Sequence, residues 1–307
     1  MSIVPLNVEE FSKWYVNFHN ILFPNDKLND STLRDLIEEF RLVSSMYGVE
    51  FFGIYFENRI VGLFSMLKRS SNIVDCKVDV AGEPPGEVLG DSIVNYLEQN
   101  CSSPQVIIPS NLTAVISKLE ALGYRLYNRF ARLTLNLEEF NFNNFREYVK
   151  KFSIEGLTFK SLFNVLDRIS DIVKLVNETS KDEPTTGGMD YMMSVEELKY
   201  LIDQGRLVEE ACYVAFKDEK VIAVTLVARA SIKEAYFIYT GVLRPYRGLD
   251  LAKAVKALAL TKLKELGYVK ASANNNLENK PILAINRRLG FKIVREYLDY
   301  RRAQGLS

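Results

Sequence analysis

The chain has 307 residues, 48% apolar and 25% charged, a globular balance that excludes wholesale disorder over a length sufficient for two ordinary domains. Lys+Arg and Asp+Glu both number 39, which leaves no electrostatic footprint for general nucleic-acid binding. The apolar runs fall short of the ~20 residues of a bilayer span, and MSIVPLNVEEFSKWY has no basic segment followed by an apolar core, so the expectation is a cytoplasmic protein with no leader and no membrane partner.

SIVPLN reads as a short strand, EEFSKWYVNFHNIL as a helix, and STLRDLIEEFRLVSSM as an amphipathic helix capped by Asp30 or Ser31. VEFFGIYFENRIVGLFSML is a hairpin turning at Glu57-Asn58, and IVDCKVDVAG alternates as a strand. GEPPGE is a loop and VLGDSIVNYLEQ a helix. PQVIIPS is a buried strand, TAVISKLEALGY a helix, and RLYNRFARLTLNL a strand. The same order then returns. LTFKSLFNV is a strand, and DRISDIVKLVNET and SVEELKYLIDQG are helices separated by the polar stretch SKDEPTTGGMDYMM. CYVAFKDEKVIAVTLVARA is a hairpin turning at Asp218-Glu219, and EAYFIYTGV is a strand. After the loop LRPYRGLD come the helix LAKAVKALALTKLKELGY, the strand VKASAN, the helix NKPILAINRRLGF and the strand KIVREYLDYRR.

The letters repeat as well. Asn111…Leu122-Gly123-Tyr124 echoes Asn279…Leu289-Gly290-Phe291, a helix opening near Asn and closing on Leu-Gly-aromatic, with glycine as the expected C′ residue. Two copies of one β-α-α-β-β-β-α-β-α-β domain follow, in the α/β (α+β) class, each with a mixed, mostly antiparallel sheet flanked by helices. The expected boundaries are 1–137, a join at 138–155 rich in Asn and Phe, and 156–307.

The chemistry concentrates in the second copy. Arg247-Gly248 lies between a strand and a long helix, where free backbone N–H groups and the positive helix end suit a pyrophosphate; an ordinary solvated turn reads the same way. Asn279 stands at the mouth of its helix with Pro281 just inside, the pattern of an N-cap worth ~1 kcal/mol. A cap does not account for Asn275 or Asn286. Asn286 lies two turns beyond Asn279 on the same face and needs a partner, either a ligand amide or a neighbouring strand. Cys76, Cys101 and Cys212 lie far apart with no CxxC spacing, against a zinc site or disulfide framework, and no metal is expected. The sole histidine is His19, so none is available to a mechanism in the second copy.

Together, TGVLRPYRGLDLAKAVK and NNNLENKPILAINRRLGF resemble the acetyl-CoA-binding part of the GCN5-related N-acetyltransferases. The matching positions are Thr240, Val242, Arg247, Gly248, Leu251, Ala252, Lys256, Asn275, Asn279, Ile282, Asn286, Leu289, Gly290 and Phe291. The element order is also that family's. The tandem-domain members such as mycothiol synthase are the nearest in pattern, and Asp182, Pro184 and Thr185 resemble a loop of such proteins. The resemblance is carried by 156–307 and is weaker over 1–137.

The resemblance implies acetyl-CoA as co-substrate. Backbone N–H groups of Arg247, Gly248, Leu249, Asp250, Leu251 and Ala252 would hold its pyrophosphate, the strand groups of Thr240 and Val242 would pair with the pantetheine arm and polarise the thioester carbonyl, and Asn279 would touch that arm. Asp250 departs from the family's glycine, with Lys253 and Lys256 as offsetting cations. Asn286 stands where many members carry a tyrosine acid, and asparagine has no labile proton to give. Tyr236 falls at a common general-base position with Glu234 two residues earlier; a core aromatic and a strand-edge charge are the plainer readings. Water relay to Glu234, Asp182 or Glu183 is a further route. In the first copy, the loop Gly82-Glu83-Pro84-Pro85-Gly86-Glu87 has two prolines and two glutamates, hostile to a phosphate, so that copy is expected to have lost the cofactor. The reaction implied is acyl transfer to a primary amine of a small molecule or peptide by direct attack. A catalytically silent acyl-CoA-binding or partner-binding protein on the same fold is the alternative. The acid-rich region 182–210 hints at a cationic acceptor, or is a solvated helix face.

Overall fold

The structure is a computed structural model that describes residues 2–24, 26–68, 76–83, 86–101, 104–184 and 192–302. The chain forms two compact units, Met1–Ala131 with Val294–Ser307, and Arg132–Ile293.

The first unit runs β1 (Ser2–Pro5), α1 (Val8–Leu22), α2 (Asp30–Tyr47), β2 (Glu50–Phe56), β3 (Arg59–Lys68), β4 (Cys76–Gly82), α3 (Glu87–Asn100), β5 (Gln105–Pro109), α4 (Thr113–Ala121) and the start of β6 (Tyr124–Asn136). β1 to β4 pair antiparallel in sequence, and β4 pairs parallel with β5. Glu57 and Asn58 both take positive φ, which makes the β2–β3 connection the two-residue turn whose twist matches its strands. Gly62 and Gly82 sit opposite each other in the β3–β4 register, and a Cβ on either would come within 2.5 Å of a Leu89 methyl. These glycines make the recess that seats the first turn of α3, where Leu89 is buried.

β5 is buried along its whole length, QVIIP. Its second edge is closed by the last strand of the chain, β12 (Lys292–Arg302), in antiparallel register from Tyr297↔Pro109 to Arg301↔Gln105. Polar side chains fix that strand in place. Arg295 and Asp26 form a buried ion pair at 2.6 Å, and Gln105 donates to the Asp299 carboxylate at 2.8 Å. Burying such groups unpaired would cost several kcal/mol, so they specify this register strongly.

The second unit takes up the end of β6 and adds α5 (Asn143–Ile154), β7 (Leu157–Ser161), α6 (Ile169–Ser180), α7 (Val195–Asp203), β8 (Tyr213–Lys217), β9 (Lys220–Arg229), β10 (Glu234–Val242), α8 (Leu251–Glu265), β11 (Lys270–Asn276) and α9 (Lys280–Arg288). β7 to β10 are antiparallel neighbours, β10 is parallel to β11, and the end of β6 lies beside β11. Asp218 and Glu219 repeat the positive-φ turn. α6 and α8 both pack on β9 and β10.

The elements thus repeat in the order read from the sequence, with three differences. The expected join at 138–155 holds α5, because Phe145 and Phe152 are buried and each meets a second ring, Phe140 and Phe159. Beyond Ser161 the expected strand tightens into two 3₁₀ turns, Leu162–Asn164 and Leu166–Arg168. The compact units also depart from 1–137 and 156–307, since β12 pairs with β5. The proposed caps Asp30 and Ser31 and the residues Pro84, Pro85 and Thr185 lie outside what is described of side chains or backbone. Among the described residues no helix is long and apolar enough to cross a membrane, and no three potential metal-ligating side chains cluster.

A chain ending at Ala131 would leave the buried β5 with an open edge. We expect Met1–Ala131 alone to aggregate, and the same fragment with Val294–Arg302 appended through a Gly/Ser linker to stay soluble and unfold cooperatively in urea. Light scattering decides it, and a soluble, cooperative short fragment would refute the role given to β12. Gly62→Ala should destabilise by about 1–3 kcal/mol through overpacking. Combining it with Leu89→Ala should cost clearly less than the sum of the two single changes, as read from denaturant midpoints.

Candidate functional site

β10 and β11 pair from Glu234↔Lys270 to Phe237↔Ala273 and then part. On its other side β10 carries a bulge between Phe237 and Tyr239, against Val227 and Leu226 of β9. A bulge re-aims the strand that contains it. Where the strands part, a cavity of about 660 Å³ opens, lined by Phe237–Val242 on one side and Ala273–Asn276 on the other. That volume is in the usual range for a small-molecule site. Thr240 lines it, with its hydroxyl 2.8 Å from that of Thr225. Gly241 lines it too, and a Cβ there would stand 2.4 Å from the Thr179 hydroxyl.

At the mouth, the chain leaves β10 through a 3₁₀ turn, Arg244–Tyr246. Gly248 and Asp250 follow in the left-handed region, at φ 76° and 68°, and α8 begins at Leu251. No side chain caps this helix start. The Asp250 carboxylate turns instead to Lys253, at 2.8 Å, with Arg288 at 3.8 Å. Its charge is therefore offset by two cations, and the first N–H groups of α8 are left to face the cavity mouth. Arg247 donates through Nε to the Val242 carbonyl at 2.8 Å and pairs with Asp182 at 2.8 Å; Arg244 pairs with Asp182 as well. Hydrogen bonds from Arg244 and then Arg247 hold the Asp182 carboxyl well below the usual carboxylate range.

The asparagines divide the opposite wall. Asn279 caps α9, accepting from the Ile282 N–H at 3.3 Å, and also lines the cavity. Asn286, fully buried, donates to the Asn275 side chain at 2.7 Å, so the partner it required is the neighbouring strand β11. Among the described residues its side-chain oxygen has no hydrogen-bond partner. Asn276 donates to the Pro184 carbonyl at 2.6 Å and ties the end of β11 to the segment after α6.

Of the residues expected at the site, Thr240, Val242, Arg247, Gly248, Asp250, Leu251, Ala252 and Asn279 line the cavity, whereas Leu249, Glu234, Tyr236 and Asn286 do not. Glu234 is committed elsewhere. Arg132 donates to it at 2.6 Å, and Lys270 stands at 3.6 Å. Burial pushes the Glu234 carboxyl up, but the Arg132 and Lys270 charges more than reverse this and leave it lowered, which makes it a weak base. Burial pushes the Tyr236 phenol up, against a smaller downward pull from Arg132, whose guanidinium lies 5.9 Å from the ring. Neither residue lines the cavity. Glu183 lines it; partial desolvation raises its carboxyl, although the residue as a whole stays exposed and open to water.

One participant was not legible in the sequence, nor was the burial of a second. Arg132 belongs to β6, remote in sequence from the strand it serves. Lys256 looked like a loop-side cation but is 1% exposed and lines the cavity, its ammonium 3.8 Å from the Phe237 ring centroid. Its place as the one charge within the apolar run Ala254–Leu260 was the available signal.

No protein-family model and no curated protein matches the sequence. Solved structures do match in fold. A GCN5-related N-acetyltransferase from Sphaerobacter thermophilus aligns over 97% of this chain and 95% of its own, at 15% identity and a TM-score of 0.73. A tandem protein of the same family from the clavulanic acid biosynthesis pathway aligns over 100% and 99%, at 14% identity and a TM-score of 0.63. A glucosamine N-acetyltransferase region of a fungal multi-domain β-N-acetylglucosaminidase aligns over 98% of this chain and 38% of its own, at 13% identity and a TM-score of 0.64. The chain has the two-domain fold found in the GCN5-related N-acetyltransferases.

Proposed function

We propose that the chain is an N-acetyltransferase that moves an acetyl group from acetyl-CoA to a primary amine of a small molecule or peptide, in the manner of the tandem-domain, mycothiol synthase-like members. The observation that carries this reading is the cavity between the parting strands, with an uncapped helix start and the turn 247–252 at its mouth. In this reading the N–H groups of that turn and Arg247 meet the pyrophosphate, and the unpaired edge of β10 from Ile238 to Val242 binds the pantetheine arm as an added strand. Acetyl-CoA supplies the thioester. Backbone N–H groups near the bulge polarise its carbonyl, and direct attack by the amine forms the amide. Asn286 positions rather than titrates, holding Asn275 on the cavity wall. The acceptor's proton goes to Glu183 or to water beside it. Binding to the second unit alone follows from the contrast with the sequence of the loop 82–87, whose two prolines remove backbone donors. Acyl-CoA binding without catalysis is the second reading, favoured by Glu234 and Tyr236 lying off the cavity.

Acetyl-CoA titrated calorimetrically should bind at one site per chain. Gly248→Glu should abolish binding through a strained positive φ and an added carboxylate, while Gly248→Asn, which tolerates that φ, should retain most of it. Two equivalent sites, or binding that survives Gly248→Glu, would overturn the site assignment.

The two glutamates should separate by phenotype. With an amine panel and thiol release as readout, Glu183→Gln should lower turnover at neutral pH by ~10²-fold or more. Glu234→Gln should instead cost about 1–3 kcal/mol of stability by leaving Arg132 unpaired. The Glu234 carboxyl is lowered in the folded state, so its contribution is present above the ordinary glutamate range and lost as pH falls through the folded value. The melting difference between Glu234→Gln and the parent should therefore shrink in acid; a difference independent of pH would contradict the assignment.

A further inference from the structure

We propose that Lys256 gives its ammonium proton to the sulfur of the departing thiolate, an inference that rests on the acyl-transfer reading above. The last paired residues of β10 and β11 are Phe237 and Ala273, which mark the vertex from which the strands part. The Lys256 ammonium stands at that vertex, 3.8 Å from the centroid of Phe237 and 5.4 Å from that of Phe291, and the side chain lines the cavity. A ligand whose anionic end lies at the helix start of α8 directs its other end toward this point.

The surroundings leave the ammonium free for that task. Two aromatic rings face it, and among the described residues no carboxylate pairs with it. The nearby charges are engaged with one another, Asp250 with Lys253 and Arg288, and Lys253 also with the Tyr148 ring at 4.4 Å. Burial lowers the Lys256 ammonium to about 7, so near neutral pH it can both give a proton and regain one. Other donors on the cavity are less suited. Tyr239 is tied to Thr179 at 2.7 Å, and burial pushes its phenol up. Arg247 is paired with Asp182, and Tyr246 belongs to the turn at the mouth. Asn286 has no proton to give.

The step balances. The amine nitrogen attacks the thioester carbon and the C–N bond forms. The C–S bond breaks with its electron pair on sulfur, which takes the Nζ proton to become the thiol. The proton lost by the amine leaves through Glu183 or water, and solvent reprotonates the lysine.

The test uses free CoA, which carries the thiol and needs no acceptor. In the full chain the bound thiol and Lys256 should share one proton once the pair has lost the other, so the ultraviolet absorbance of the thiolate should rise at a pH lower than in solution by about one unit or more, because the ammonium that forms beside the sulfur favours its ionised form. Lys256→Met should return that midpoint to the solution value while still binding CoA. Lys256→Arg should keep the lowered midpoint, since the charge remains, yet lose ~10²-fold in turnover for want of a transferable proton. A bound thiol in the parent chain that titrates as in solution, or one still lowered in Lys256→Met, overturns the role of Lys256 and leaves CoA binding standing. Failure of the parent chain to bind CoA overturns the acyl-transfer reading itself.

Discussion

The second unit is organised by two parallel strands that stop pairing. β10 and β11 hold together as far as Phe237 and Ala273, and from there each carries an edge of backbone N–H and C=O groups that the other no longer pairs, on β10 along a stretch that stays buried or half-buried. Such groups demand partners. The bulge at Ile238 adjusts β10 to this divergence, Gly241 lets Thr179 approach closely, and Asn276 binds the free end of β11 to the Pro184 carbonyl. The remaining edge of β10 faces the cavity, so the architecture that creates the space also lines it with donors and acceptors in strand geometry.

Charge in this unit is arranged in closed groups. Asp182 is held by Arg244 and Arg247, Asp250 by Lys253 and Arg288, and Glu234 by Arg132 and Lys270. Of these, Asp182 and Asp250 line the cavity, and their pairing offsets the repulsion each would exert on an anion there. Asp250 is instructive. In sequence a carboxylate beside a pyrophosphate loop argues against anion binding; in space it orders Lys253 and Arg288 around the helix start.

The element order was readable because local patterns agreed with the fold. The hairpins announced themselves at Glu57-Asn58 and Asp218-Glu219, and the helix ends at Leu-Gly-aromatic. The glycine turn marked the mouth of the cavity and Asn279 one of its walls. The rest depended on distance. Arg132 removes Glu234 from service, and nothing near either residue signals the other. Lys256 was readable as a motif position and a charge; that it is buried at a vertex follows from strand divergence, which has no local signature. The join 138–155 seemed a linker because its polar letters hide Phe145 and Phe152 at helical spacing.

The pairing of β12 with β5 also sets a schedule for synthesis. Gln105–Pro109 is made well before the strand that covers its edge, which follows only after all of Arg132–Ile293. At roughly 5–20 residues per second the gap is on the order of ten to thirty seconds. Throughout that interval a five-residue, wholly buried strand waits beside an unfilled position on the nascent chain. The Asp26 carboxylate meanwhile lacks the arginine that will neutralise it. The first unit to be translated is thus the last to be completed. Loss of β12 would accordingly damage the unit made first rather than the one made just before it.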